Sequence, residues 1–264
     1  MEAKRLPFEG LNNTRDLGDL LAEGEPRIAR GRLLRSGALW SASARDLSVL
    51  REDCGVHTVV DLRTKIEADN QPDPALPGCK TVFLPVLDDS FFGIARDSYS
   101  VEAWFNMFLT SEESPADVFA AMYRRIVFSE RSIGLWRRFF VCLLQNGQGA
   151  VLWHCSAGKD RAGLATVLLL SALGFSEQAA IFDYLQTGTF TADEIETVKA
   201  MASQRTDDPR MLEATDVLMG VRPGYITRIF DEMRERYGGV NGFFTQTGIL
   251  SEAETDKLKE LYLR

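Results

Sequence analysis

A cysteine and an arginine six positions apart, Cys155 and Arg161, are the residues whose types and spacing could do chemistry. The run Ala150–His154 before them predicts a strand, and Leu164–Leu173 after them predicts a helix. A loop that enters a helix N-terminus directs its amides at an anion and favours the thiolate form of a cysteine placed there. The planar fork of Arg161 can hold two oxygens of that anion. Nucleophile, amides and cation together predict cleavage of a phosphate ester through a phosphocysteine intermediate.

The whole loop is predicted to surround the phosphate. The expected phosphate-binding residues are Ser156, Ala157, Gly158, Lys159, Asp160 and Arg161. A Walker-type nucleotide loop is excluded because Asp160, and not Ser or Thr, follows Gly158-Lys159. A buried structural role for Cys155 is the weaker alternative, since free cysteines are commonly buried. His154 is expected to orient the cysteine backbone by a hydrogen bond and not to act as the base.

The segment 154–163, His-Cys-Ser-Ala-Gly-Lys-Asp-Arg-Ala-Gly, resembles the signature of cysteine-dependent protein tyrosine phosphatases. Its Gly-Lys-Asp-Arg form is similar to the atypical tyrosine/serine phosphatase family. Five other segments resemble that family in the same order: Asn13–Gly18, Arg32–Leu39, Val59–Arg63, Val221–Tyr225 and Tyr237–Gly242. The stretch 88–148 matches poorly. The resemblance implies a mobile helical lid in this stretch.

One residue of the loop departs from the family pattern. Ala162 stands where a Thr or Ser commonly follows the arginine. A hydroxyl at that position helps the thiolate to leave, so the resemblance implies slower turnover here. Ala162 also favours one alternative function, a catalytically weak phosphoprotein-binding module. A rhodanese-like or arsenate reductase-like enzyme is the other alternative, but the loop has full phosphatase length and no second cysteine is close in sequence.

The general acid has several candidates. Asp160 lies inside the loop, and Asp61 ends a predicted strand at a functional position of the family; Asp88 and Asp89 rank below them. For Asp61 the structural alternative is an ion pair with Arg35. General acid catalysis contributes roughly a hundred- to ten-thousandfold in rate.

The substrate classes follow from the loop and the resemblance. Phosphotyrosine is the expected main substrate, with phosphoserine, phosphothreonine and phosphoinositides as further candidates. Lys159 is a second loop cation that can meet extra negative charge, as related loops do on phosphoinositides. If the family geometry holds, five cations concentrate positive charge around the phosphate: Arg15, Arg35, Arg63, Lys159 and Arg161.

Composition restricts the class of protein. With 264 residues, 45% of them hydrophobic, the chain suits a single phosphatase domain over 1–264. A net charge of −8 argues against nucleic acid as a partner. Two histidines and no Cys-x-x-Cys pair predict no metal, and no cofactor is expected. Few cysteines and no signal-peptide core indicate a cytoplasmic protein, with export by a route without a cleaved signal left open. Since no apolar stretch reaches membrane length, no integral membrane association is expected.

The order of elements predicts the fold class. Strands at 56–62, 81–87 and Ala150–His154 alternate with helices such as 43–54, which predicts an α/β protein. Its central, mostly parallel sheet is flanked by helices, as in tyrosine phosphatases, and Ala150–His154 is the central strand. The stretch 88–148 is a possible helical lid or insertion, and 176–264 is a helical C-terminal part.

Overall fold

The computed structural model describes residues 1–87 and 111–264. Within them, five strands form one sheet: β1 (Arg15–Asp16), β2 (Leu33–Ser36), β3 (Val56–Asp61), β4 (Lys80–Phe83) and β5 (Ala150–His154). Two α-helices precede the undescribed stretch: α1 (Ala44–Ser48) and α2 (Lys65–Asn70). Nine follow it: α3 (Pro115–Phe128), α4 (Glu130–Gln145), α5 (Asp160–Ala172), α6 (Glu177–Phe190), α7 (Ala192–Arg205), α8 (Pro209–Met219), α9 (Pro223–Tyr237), α10 (Val240–Thr247) and α11 (Glu252–Tyr262).

The sheet has the strand order β1-β2-β5-β3-β4, and only the short β1 runs antiparallel to its neighbour. The predicted α/β class and the central position of Ala150–His154 are therefore confirmed. Ser36 of β2 and Asp61 of β3 are both in register with His154 of β5. Three parallel strands thus end level, and the residues that follow them meet around Cys155. This is the edge where open α/β sheets bind ligands.

Apolar side chains cover both faces of the sheet. Leu152 of β5 belongs to a smaller cluster, and its neighbours Val151 and Trp153 belong to a larger one. This division follows from the alternation of side chains along a strand. The larger cluster also takes in most of α5, which is buried continuously from Ala162 to Leu170. A helix that is apolar on all sides must lie inside the domain, and it fixes the arginine at its first turn.

Two predicted elements differ from the observed ones. The helix predicted at 43–54 is α1 followed by a π-helical turn, Val49–Asp53. Its start is as predicted, because Ser43 and Asp46 form a capping box. The Ser43 hydroxyl accepts from the Asp46 amide, and the Asp46 carboxylate accepts from the Ser43 amide. The strand predicted at 81–87 ends at Phe83, shortly before Pro85, which has no amide hydrogen for a sheet ladder.

The described part of the predicted lid or insertion, 111–148, contributes to the core. Helices α3 and α4 bury Phe119, Tyr123, Trp136 and Phe139 completely in the larger cluster. The rest of that stretch, 88–110 with Asp88 and Asp89, lies outside the described residues, so the lid stays a prediction. From residue 177 to 262 the chain is helical, in six helices. Among the described residues, no helix is both long and apolar enough to cross a membrane.

Candidate active site

The loop that carries Cys155 joins the end of β5 to the start of α5 at Asp160. The Cys155 side chain is buried at its base. Gly158 has a φ of 66°, and a Cβ there would lie 2.5 Å from the Ser36 carbonyl oxygen. Both the left-handed backbone and the close approach to β2 require glycine. This explains why a glycine stands in the middle of the loop.

The carbonyl groups of the loop are bound from outside. Asn13 Nδ2 donates to the carbonyl oxygens of Ala157 (3.2 Å) and Gly158 (3.0 Å). Arg35 Nη2 donates to the Gly158 oxygen at 2.6 Å, and the amide of Ala38 donates to Ser156 at 2.9 Å. In a trans peptide the N–H points opposite to the C=O. The amides that follow these carbonyls therefore face the interior of the loop, the arrangement expected of a phosphate cradle.

The guanidinium of Arg161 is paired with the carboxylate of Glu67 on α2. Both terminal nitrogens donate to Glu67, with Nη2 to Oε1 at 2.8 Å. The amide of Thr64 and the hydroxyl of Ser156 also donate to this carboxylate. Burial alone would raise the pKa of Glu67, but the charge and hydrogen bonds of Arg161 outweigh it and hold that pKa at about 2. The pair is a bidentate, largely buried ion pair at the edge of the loop.

The Lys159 side chain points away from the loop, toward the end of α8. Its ammonium group donates to the carbonyl of Leu218 and to that of Gly220 at 3.1 Å. It also lies 5.0 Å from the centre of the Phe119 ring. Burial lowers the pKa of Lys159, and the nearby Asp160 counteracts this. The amide of Lys159 belongs to the loop, whereas its charge neutralises a helix C-terminus.

Asp160 occupies the first position of α5, and its side chain is 22% exposed. The hydroxyl of Tyr123 donates to Asp160 Oδ1, and Tyr184 lies 2.8 Å from the Tyr123 oxygen. Burial and the neighbouring Asp160 charge raise the pKa of Tyr123 well above its usual value, and the same causes raise that of Tyr184. Both tyrosines are therefore protonated at neutral pH. Tyr123 orients the Asp160 carboxylate, and Tyr184 contacts the Tyr123 hydroxyl.

Asp61, the other predicted acid, lies in a buried ionic cluster. Its oxygens accept from the Arg63 amide at 2.9 Å and from Arg63 Nη2 at 2.8 Å. The alternative ion pair with Arg35 is wrong, because Arg35 pairs with Asp183. Arg63 also contacts Asp73 at 2.8 Å.

The same cluster connects to the residue before the nucleophile. Asp73 lies 3.0 Å from His154 Nε2, and the other ring nitrogen, Nδ1, lies 3.4 Å from the Cys155 carbonyl oxygen. Asp61, Asp73 and His154 present ligand atoms within 4.8 Å of one another. Since the Arg63 guanidinium already contacts both carboxylates, this group does not fit a metal ion.

A second buried ionic cluster lies under the loop. Arg15 Nε is 2.8 Å from Asp183 Oδ1, and Arg35 Nη1 is 2.6 Å from Asp183 Oδ2. Burial lowers the pKa of Arg35 to about 10, which leaves it charged at neutral pH. Of the five cations predicted around the phosphate, Arg15, Arg35 and Arg63 pair with buried carboxylates.

Four residues of this site were not predicted from the sequence: Glu67, Asp73, Tyr123 and Asp183. For one of them, Glu67, the local sequence does contain a recognisable pattern. Glu67 follows Thr64 by three positions, which is the capping-box pattern, and the two side chains do cap α2. The others are brought to the loop only by the tertiary fold.

Comparison with known proteins agrees with this geometry. The family model described as "Tyrosine phosphatase family" matches residues 6–264. A Cupriavidus necator protein that carries the name tyrosine-protein phosphatase is 30% identical over 262 residues, which cover 98% of this chain and 88% of the relative. The triple specificity protein phosphatase PtpB of Mycobacterium tuberculosis is 29% identical over 284 residues, with 100% of both chains covered.

The chain therefore belongs to the tyrosine phosphatase family. It is an enzyme of the class that hydrolyses phosphoric monoesters, and phosphorylated proteins are its substrates. The resemblance inferred from the loop and the flanking motifs is confirmed.

Proposed function

We propose that this phosphatase hydrolyses phosphotyrosine through a phosphocysteine intermediate on Cys155, and that its activity extends to phosphoserine, phosphothreonine and phosphoinositides. The observation that carries the proposal is the fork of Arg161, which holds two oxygens of the Glu67 carboxylate beside the loop. A phosphoryl group offers the same fork two oxygens of similar spacing. The inward amides of the loop supply the remaining donors.

The reaction has two steps. The Cys155 thiolate attacks phosphorus while the bond to the leaving oxygen breaks, and that oxygen takes a proton from the general acid. Water then attacks the phosphocysteine, the sulfur–phosphorus bond breaks, and the water proton returns to the same carboxylate. Arg161 and the loop amides stabilise the equatorial oxygens in both steps. His154 Nδ1 contacts the Cys155 backbone carbonyl at 3.4 Å, and Asp73 lies 3.0 Å from the other ring nitrogen.

Asp160 is the proposed general acid. It lies in the loop, its side chain is partly open to solvent, and the Tyr123 hydroxyl orients one of its oxygens. Asp61 is the alternative from the sequence. It is less suited to proton transfer, because both of its oxygens accept hydrogen bonds from Arg63 and the side chain is almost fully buried.

The breadth of substrates rests on two further points. The Mycobacterium tuberculosis relative is named a triple specificity phosphatase and aligns over the whole chain. The Lys159 ammonium group is held by the end of α8, so its use on a phosphoinositide requires a change of partner. We therefore expect phosphotyrosine to be turned over faster than phosphoinositides.

The test is phosphate release from matched phosphotyrosine, phosphoserine and phosphothreonine peptides and from a phosphoinositide, without added metal. Wild type, Cys155→Ser and Cys142→Ser are assayed in parallel. Cys142 is a half-buried thiol on α4 that serves as the matched control. We expect release by wild type and Cys142→Ser and none by Cys155→Ser. Phosphopeptide binding without release by wild type would favour a binding module and overturn the proposal.

A further inference from the structure

We propose that Asn13 is a positioning residue of the phosphate loop: its amide group, held by Arg15, turns the loop carbonyls outward so that the loop amides face the anion. This inference rests on the proposed function of the loop as a phosphate cradle. It concerns a residue outside the loop, on the turn before β1. Asn13 is completely buried, so water does not compete for its hydrogen bonds.

The backbone of Asn13 is in a conformation that aims the side chain at the loop. Its φ is 57°, and it is the only non-glycine residue with a positive φ in 1–87 and 111–264. Asparagine tolerates this left-handed region better than most residues, but it still costs free energy. Conformations of this kind persist where the surrounding structure requires them. Here the requirement is the pair of bonds from Nδ2 to Ala157 and Gly158.

The Asn13 amide is fixed in one orientation by the buried ionic cluster. Arg15 Nη1 donates to Asn13 Oδ1 at 2.6 Å, which leaves Nδ2 to face the loop. Arg15 is itself held by Asp183 through Nε at 2.8 Å and through Nη2 to the Asp183 carbonyl at 2.8 Å. Thr187 Oγ1 lies 3.3 Å from Nδ2, on the same helix as Asp183. The orientation of the Asn13 amide is therefore set by α6, which carries both Asp183 and Thr187.

The two side chains that donate to the Gly158 carbonyl, Asn13 and Arg35, are both positioned by the buried carboxylate of Asp183. Asp183 holds Arg35, which donates to Gly158 directly, and it holds Arg15, which orients Asn13 toward the same oxygen. Of these two donors, Asn13 also reaches the Ala157 carbonyl. Removing the Asn13 side chain would leave the Ala157 carbonyl without this partner and free the peptide between Ala157 and Gly158 to rotate. The amide of Gly158 would then no longer be held toward the anion.

Asn13→Gly separates this role from a contribution to folding. Glycine adopts a φ of 57° without strain, so the backbone gain offsets part of the lost hydrogen bonding. We expect the affinity for inorganic phosphate, measured by calorimetry, to fall about tenfold, as expected for the loss of a buried hydrogen-bonding partner. The thermal midpoint should stay within about 3 °C of wild type. Unchanged phosphate affinity in this variant would overturn the proposal.

Two further variants complete the experiment. Asn13→Asp keeps an acceptor for Arg15 but has no N–H for the loop carbonyls, so its phosphate affinity should fall at least as much. Thr14→Val removes a neighbouring buried hydroxyl that bonds Ser36 at 2.7 Å, and it should lower the thermal midpoint without weakening phosphate binding. Wild-type phosphate affinity in Asn13→Asp, an equal loss in Thr14→Val, or no phosphate binding by wild type would each contradict the inference. Wild type that binds phosphate but releases none from any substrate would remove the proposed function and leave this inference standing.

Discussion

Replacing Glu67 by Gln should destabilise the protein by about 3 kcal/mol at pH 7. The side chains of Glu67 and Arg161 are only 17% and 12% exposed, so solvent screens their interaction weakly. Gln keeps the shape and one acceptor oxygen but leaves Arg161 without its counter-charge.

The magnitude follows from the pKa of Glu67, which is held at about 2 instead of the usual 4.5. Each pKa unit corresponds to about 1.4 kcal/mol, which gives about 3 kcal/mol. Because the folded pKa lies below the unfolded one, this stability is fully present above pH 4.5 and is lost as the pH falls toward 2. The difference between wild type and Glu67→Gln should therefore shrink to about 1.5 kcal/mol at pH 3.

The assay is urea unfolding of both proteins at several pH values between 3 and 7. Glu254→Gln is the matched control, because Glu254 is also the third residue of a helix capped by a capping box and is also held by both terminal nitrogens of an arginine, Arg137. Those side chains are 29% and 38% exposed. The control should lose only about 1 kcal/mol or less for its ion pair.

Two results would refute this reasoning. One is a Glu67→Gln difference of about 1 kcal/mol or less, equal to that of Glu254→Gln, which would show that burial gives the Arg161 pair no additional strength. The other is a difference that does not change between pH 7 and pH 3, since the pKa of Glu67 requires it to shrink. Either result would remove Glu67 as the residue that fixes the Arg161 fork.

Three further predictions concern the loop and its supports. Asp160→Asn should slow phosphotyrosine turnover about a hundred- to ten-thousandfold, with a much smaller effect on aryl phosphates whose leaving group needs no proton; equal losses on both would exclude Asp160 as the acid. Ala162→Ser should raise kcat up to about tenfold, because a hydroxyl can donate to the thiolate that leaves when the phosphocysteine is hydrolysed. An unchanged rate of phosphocysteine hydrolysis in a single-turnover measurement would contradict this. Asp183→Asn should cost about 3–5 kcal/mol in urea unfolding, since two buried arginines lose their counter-charge, whereas a loss below about 1 kcal/mol would argue against that pairing.

The sequence was sufficient for the parts of the site that are local in the chain. Cys155, the loop and Arg161 lie within seven positions, between a strand and a helix that each have a clear apolar pattern. The central parallel strand could be recognised from the same pattern. The start of α1 directly after Ser43 follows from a capping signal four residues long.

The partners of the loop could not be predicted, because they are distant in the chain. Glu67 is 94 positions from Arg161, and Asp183 is 168 positions from Arg15. Nothing in the local pattern distinguishes Asp183, a buried carboxylate on α6, from the exposed acids of neighbouring helices. The partner of Asp61 was mispredicted for a different reason: Arg63 is only two residues away, and the chain turns at the end of β3 to bring its guanidinium onto the Asp61 carboxylate.

The pairing of charges determines how a chain of net charge −8 would bind a phosphate dianion at the proposed site. Each cation in and around the loop has a described carboxylate neighbour: Arg15 and Arg35 have Asp183, Arg63 has Asp61 and Asp73, Lys159 has Asp160, and Arg161 has Glu67. Net charge therefore does not concentrate the anion. The phosphate would instead be attracted by the oriented amides of the loop and by the Arg161 guanidinium, which already binds the Glu67 carboxylate. A phosphate that binds to Arg161 must share or replace Glu67 there, so binding at this site is an exchange between two oxyanions. Such an exchange disfavours singly charged anions. Only a dianion that also accepts hydrogen bonds from the loop amides interacts more strongly with the site than the Glu67 carboxylate does.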